Sequence, residues 1–290
     1  MKNVNIVCTS KPGDGLLHYS YEHCCYLNSI GIKSQLIIIT HFNFKQKDYI
    51  NALEECYITT EDIIFDNYIP NLNETTLIMG RSLLTWPYLN KNKYSQDQLL
   101  TLHLLFKNKL ISVYNENHPK EYYKAIDYFA PKEIIDLCDK EIYPNGKGEH
   151  FRKIINFNIY KPVKSDIKFK YLFLGTNDIY YKEIEKHIDK FESHGIISYK
   201  EKYINNKLNN IFVPVKNLLG SFETYVYTKP YFDPAPRIIQ ECKWLNKKII
   251  YLRDKNIKDG GPVYYNLPSS CLTDKTNKDN INILIKSIKE

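Results

Sequence analysis

Arg237 and Glu241 stand four residues apart in the stretch YFDPAPRIIQECKWLNKKIIY, residues 231–251. Pro234 and Pro236 bracket an alanine just before them, and Asp233 precedes both prolines. This is how a helix is opened: a capping carboxylate, then prolines that fix the backbone where no N–H is needed. A helix start carries unpaired N–H groups and a partial positive charge, which suits a phosphate. Arg237 falls in the first turn, where a guanidinium can grip a diphosphate in bidentate fashion. Glu241 lies one turn further on, where a carboxylate can accept hydrogen bonds from vicinal hydroxyls such as those of a ribose. The plainer alternative is an i,i+4 salt bridge on a surface helix, worth about 0.3–0.5 kcal/mol.

Other groups are placed for related work. LGTND (174–178) ends a strand in Gly175 and Thr176, which can face donor phosphates. GDGLL (13–17) holds Gly13 and Gly15, whose backbone amides can approach a sugar or phosphate, or which simply make a βα turn. KLISVYNENHP (109–119) runs from a strand into Glu116 and His118. A carboxylate there can take the proton of an acceptor hydroxyl, which is a weak nucleophile until it is deprotonated. It can equally be a solvated loop acid, and His118 can bind an acceptor or serve structure alone. Lys229 and Arg253 are available to supplement diphosphate charge. No Asp-x-Asp motif occurs, so no metal bridging the diphosphate is expected; the helix start and Arg237 take its place.

These residues need elements to hold them. NVNIVCT, a glycine loop, the helix LLHYSYEHCCYLNSIG closed by Gly31, and KSQLIIIT read as a βαβ unit opening a doubly wound α/β domain. Strands follow at 75–80 and 109–115. A helix lies between them, capped by Ser95 with Gln98 at the box position. PKEYYKAIDYF and PKEIIDLCDKEIY both read as helix starts with Pro first, and YPNGKGEH (143–150) as a loop. A second α/β run begins near residue 165. It has a strand at 168–176, a helix over 178–195 ended by Gly195, β-like segments in GIISYKEKY, NNIFVPV and ETYVYTK, then the Arg237 helix and the strand KKIIYLRD. RDKNIKDGG (253–261) reads as a charged loop and TNKDNINILIKSIKE as an amphipathic closing helix. The boundary is placed in IYKPVKSD (159–166), giving domains 1–160 and 161–290. Ligands of such sheets lie beyond the carboxyl ends of the strands, and with two such domains the expected site is the cleft between them.

Bulk composition agrees with this layout. The chain of 290 residues is long enough for two domains, and 43% hydrophobic residues supply cores and exclude wholesale disorder. Residues 1–150 carry 15 Lys+Arg against 18 Asp+Glu, a balance of −3. Residues 151–290 carry 25 against 15, a balance of +10. A basic half beside a mildly acidic one points to an anionic ligand, for which a nucleoside diphosphate suffices and a nucleic acid is possible. The seven cysteines form no C-x-x-C pair and no zinc spacing, so they read as reduced thiols of a cytosolic protein. No apolar run reaches the ~18 residues a membrane span needs, and the N-terminus reads as a strand rather than a signal peptide.

The helix bearing Glu241, followed shortly by a buried strand, resembles the donor-binding segment of GT-B glycosyltransferases. The N-terminal βαβ unit is similar to the start of their first domain. The resemblance implies two Rossmann-like domains facing a cleft, with acceptor on the N-terminal side and donor on the C-terminal side. It implies that Glu241 holds the ribose of a nucleotide-sugar, that Arg237, Pro236, Gly175 and Thr176 lie near its phosphates, and that the last helix crosses back to the first domain. KLISVYNENHP is further similar to the strand end that carries the catalytic-site carboxylate in bacteriophage DNA glucosyltransferases, with Glu116 nearest the matching position. Here the sequence reads Glu-Asn-His where those enzymes have Asp. The implied reaction moves sugar from a UDP-sugar to a hydroxymethylated base in double-stranded DNA, with no further cofactor, in the (host) cytoplasm. The alternatives are a cell-surface or lipid-linked glycan as acceptor, a sugar-nucleotide epimerase, and a non-catalytic nucleotide- or DNA-binding protein. In an inverting enzyme Glu116 would be the base; in a retaining one it would only bind.

Overall fold

In this computed structural model, residues 4–10, 12, 15–39, 44–58, 63–66, 75–79, 82–108, 110–113, 120–131, 133–136, 149–150, 156–175, 178–198, 207–208, 218–230, 237–252, 282 and 286 are described. The chain divides into two compact units. Unit 1 is Met1–Leu53, Thr59–Ile159 and Leu272–Glu290; unit 2 is Glu54–Ile58 and Tyr160–Cys271. The longer segment of unit 2 begins at Tyr160. The assignment of Glu54–Ile58 to unit 2 has no signature in the sequence.

Unit 1 is built on seven parallel strands in the order β3-β2-β1-β4-β5-β6-β7. They are β1 (Val4–Cys8), β2 (Ser34–Ile39), β3 (Ile63–Asp66), β4 (Thr75–Met79), β5 (Leu110–Val113), β6 (Glu133–Asp136) and β7 (Glu149–His150). All five residues of β1 are buried, as a central parallel strand requires. Helix α1 (Gly15–Ser29) is buried without interruption from Leu17 to Leu27, polar residues included. It ends where Gly31 takes φ 82, with Ile32 N–H bonded to Leu27 O and Gly31 N–H to Asn28 O. This is the double carbonyl closure of a Schellman cap. The other helices are α2 (Gln46–Glu54), α3 (Ser82–Leu89), α4 (Gln96–Asn108) and α5 (Lys120–Phe129). At the head of α4 the Ser95 N–H donates to Gln98 Oε1 at 2.9 Å and the Gln98 N–H to Ser95 Oγ at 3.2 Å, the reciprocal box read from the sequence.

Three local expectations are corrected. The helix expected to begin at PKEIIDLC is strand β6 over Glu133–Asp136, paired with β5. Two adjacent β-branched residues favour a strand covered on both faces, where no alternation is needed. Glu149 and His150, expected in a loop, add β7 to the same edge. The helix expected over 178–195 is α6 (Asp178–Glu185) followed by a single 3-10 turn at Ile188–Lys190. Ser193 turns the chain at φ 51, and Gly195 lies inside strand β9 with the Phe169 ring where a Cβ would stand. Strand β3 and helices α2 and α3 are additions. The expected strand at 209–215 lies outside the described residues; of the closing helix, Asn282 and Lys286 are helical and exposed.

Unit 2 holds five parallel strands in the order β10-β9-β8-β11-β12. They are β8 (Phe169–Gly175), β9 (His194–Ser198), β10 (Lys207–Leu208), β11 (Phe222–Tyr227) and β12 (Lys248–Tyr251). Successive residues of the central strands point to opposite faces. Leu172, Tyr225 and Tyr227 pack with Ile238, Ile239 and Cys242 of helix α7 (Arg237–Trp244). Phe173 and Val226 pack with Ile184 of α6 and Ile196. Helices α6 and α7 therefore cover opposite faces, and each unit is a doubly wound, Rossmann-like sheet.

Candidate functional site

In each sheet, counted from its own first strand, the order runs 3-2-1-4-5, so direction reverses between the first and fourth strands. The crevice beyond the carboxyl ends at that reversal is where open α/β sheets bind ligands. In unit 2 it lies between β8, ending at Gly175, and β11, ending at Tyr227. The chain leaving β8 enters α6; the chain leaving β11 passes Thr228 and Lys229 and enters α7 at Arg237. Lys229 Nζ stands 5.7 Å from the ring centre of Tyr180, in the first turn of α6. The connections after β8 and β11 thus approach each other.

Helix α7 has two unlike faces. Ile238, Ile239 and Cys242 enter the core; each isoleucine so buried contributes about 1.5–3 kcal/mol. Burial pushes the Cys242 thiol far above the usual cysteine range, and the neighbouring Glu241 carboxylate adds to it, so this thiol is unreactive. The other face carries Arg237, Glu241 and Trp244. Arg237 Nε donates to Glu241 Oε1 at 2.8 Å, and the two side chains are only 10% and 4% exposed. This is not a surface ion pair. Arg237 Nη2 also donates to the Tyr160 hydroxyl, and that hydroxyl donates to Glu241 Oε1 at 3.4 Å. The Tyr160 ring meets Tyr57 at 5.2 Å and Trp244 at 5.5 Å, both edge to face.

Arg237 and Glu241 are therefore brought together, at the start of a helix beside the reversal in unit 2. Gly175 reaches the carboxyl end of β8, and its missing side chain has a packing cause. A Cβ there would stand 3.0 Å from Ile196 Cγ2 and 3.2 Å from Ile184 Cδ1. Gly15 is the exposed first residue of α1. Gly13, Glu116, His118, Thr176, Asp233, Pro234, Pro236 and Arg253 lie outside the described residues. Tyr160 is the residue the sequence did not reveal: it is 77 positions from Arg237, and no spacing rule links them.

In unit 1 the reversal lies between β1 and β4. Beyond β1 come Thr9 and Ser10, both buried. Ser10 Oγ lies 3.4 Å from Cys8 Sγ, and the Ser10 carbonyl accepts the Tyr49 hydroxyl at 2.9 Å. Among the described residues no group of three or more His, Cys, Asp or Glu could hold a metal ion, and no helix is long and apolar enough to cross a membrane.

No protein-family model matches this sequence, and no curated protein matches it. Solved structures do match in fold. An α-glucosyltransferase in complex with UDP aligns at TM-score 0.55 and 9% identity, over 99% of this chain and 90% of that one. An α-glucosyltransferase in complex with UDP and a 13-mer DNA containing a HMU base aligns at 0.51 and 12% identity, over 97% and 90%. Anabaena Alr3699/HepE in complex with UDP and glucose aligns at 0.53 and 12% identity, over 97% and 92%. The fold is GT-B, two Rossmann-like domains over essentially the whole chain.

Proposed function

We propose that this protein is a glycosyltransferase that binds a UDP-sugar through unit 2 and passes the sugar to a hydroxyl acceptor, with a hydroxymethylated base in DNA favoured. The observation that carries the reading is the buried Arg237–Glu241 pair at the start of α7, beside the sheet reversal of a GT-B fold. Glycosyltransferases with this fold are known bound to UDP and to DNA with a HMU base. The +10 balance of residues 151–290 agrees with a diphosphate and with a polyanionic acceptor.

The chemistry asked of the chain is modest. The acceptor oxygen bonds to the anomeric carbon, the bond from that carbon to UDP breaks, and UDP departs with the electron pair. In this reading Arg237 and the first N–H groups of α7 stabilise the charge that grows on the diphosphate. Glu241 is assigned to accept from the ribose hydroxyls. The proton of the acceptor goes to a base, for which Glu116 is the candidate, with His118 beside it in an acceptor-binding role. The backbone of Gly13 and Gly15 is assigned to the sugar or phosphate of the donor, and Thr176 and Pro236 to the neighbourhood of the phosphates.

The test is UDP release from a panel of UDP-sugars, with hydroxymethylated duplex DNA, with plain DNA and without DNA. Release that depends on the modified DNA supports the reading and names the sugar. UDP-sugar binding with no release on any DNA redirects the acceptor to a glycan. No nucleotide binding at all overturns it.

A further inference from the structure

We infer that Tyr160 is a positioning residue of the donor site: its hydroxyl sets the Arg237–Glu241 pair and ties it to the chain passages at the edge of unit 2. The inference rests on the donor reading above. The phenol accepts from Arg237 Nη2 and donates to Glu241 Oε1, while Arg237 Nε donates to the same carboxylate oxygen. A guanidinium held at two of its nitrogens has its plane fixed. A carboxylate held at one oxygen by two donors has its rotation fixed. Tyr160 thus supplies the orientation that an i,i+4 pair on a lone helix would lack.

Tyr160 is also the first residue of the longer segment of unit 2, and it forms an antiparallel bridge with Tyr57 of the shorter one. The next residue continues the tie. The Lys161 N–H donates to the Cys56 carbonyl at 2.8 Å, and Lys161 Nζ donates to the Glu54 carbonyl. Both passages of the chain into unit 2 are therefore fastened at the residue that holds Arg237 and Glu241. A nucleotide that engages this pair acts on Tyr160, and through it on the hydrogen bond of Lys161.

Tyr160→Phe removes the hydroxyl and keeps the ring against Tyr57 and Trp244. UDP binding is measured by calorimetry on the full chain for wild type, Tyr160→Phe, Arg237→Met and the double variant. The expected result is an affinity loss of about tenfold or more for Tyr160→Phe, the scale of a lost hydrogen bond to a charged group. A smaller further loss is expected when Arg237 is already Met, because only the hydroxyl's bond to Glu241 is then left to lose. Unchanged affinity in Tyr160→Phe, or the same loss in both backgrounds, overturns the inference and leaves the donor reading standing. Hydrogen exchange of the Lys161 amide in wild type needs no variant to fold. Added protection with UDP supports the tie, and equal exchange with and without UDP overturns it. A wild-type chain that binds no UDP removes the donor reading and this inference with it.

Discussion

At the reversal in unit 1 the first strand runs out into Cys8, Thr9 and Ser10, three small uncharged side chains, all buried. At the reversal in unit 2 the chain leaving β11 carries Lys229, then Arg237 and Glu241 on α7, an ion pair whose side chains are 10% and 4% exposed. The strand order around the two reversals is the same. Topology therefore supplies two equivalent places, and residue type makes them chemically unlike. Among the described residues, the end of β1 offers a ligand hydroxyls and backbone groups. A charged end can compensate an anion and sort polar hydroxyls, which is the division of labour proposed for acceptor and donor.

The comparison breaks most readily at Glu241. Glu241→Gln leaves the Arg237 charge buried beside an amide, and losing one member of a buried pair costs about 3–5 kcal/mol. Urea unfolding should show that loss in the midpoint, with UDP affinity falling in parallel. The double replacement Arg237→Met with Glu241→Leu sharpens the point. It removes both charges, so much of the stability should return, while UDP binding should not. If UDP binding survives the double change, the pair is structural and unit 2 loses its distinction.

The frame of both sheets was open to sequence reading because burial leaves local signals. The run VNIVC, the Gly31 stop and the Ser95–Gln98 box each have one physical cause acting within a few residues. The pairing on α7 was legible for the same reason, since Arg237 and Glu241 are one turn apart. What escaped was set over distance. Strand β6 carries a helix-start signal because Pro131 precedes it, and its pairing with β5 overrides that signal. The long helix expected over 178–195 is broken by a reversal at Ser193 and by a glycine that exists to admit the Phe169 ring, a neighbour 26 residues earlier in the chain. Tyr160 belongs to the same class, as does the assignment of Glu54–Ile58 to unit 2.

Gly175 tests whether the carboxyl end of β8 touches ligand or merely packs. In Gly175→Ala the new methyl meets Ile196 and Ile184 at 3.0 and 3.2 Å, so β8 or α6 must give slightly. Overpacking of this kind costs about 1–2 kcal/mol. A packing role means reduced thermal stability with UDP affinity within about twofold of wild type, a gap below 0.5 kcal/mol. A large affinity loss with little change in stability would instead give the Gly175 backbone a direct place at the phosphates.

The smallest effect belongs to unit 1 and guards the comparison from the other side. Ser95 and Gln98 exchange hydrogen bonds at the exposed head of α4, and neither is assigned a part in donor binding. Ser95→Ala removes the side-chain acceptor of one first-turn N–H, and at an exposed cap that costs about 0.5–1 kcal/mol. The midpoint of unfolding should fall accordingly, and UDP affinity should not move, because the two bonds of the cap stay within the head of α4. If this change weakens UDP binding as much as Tyr160→Phe does, then loss of affinity merely tracks loss of stability. The contrast between the two reversals would then say nothing about where the nucleotide binds.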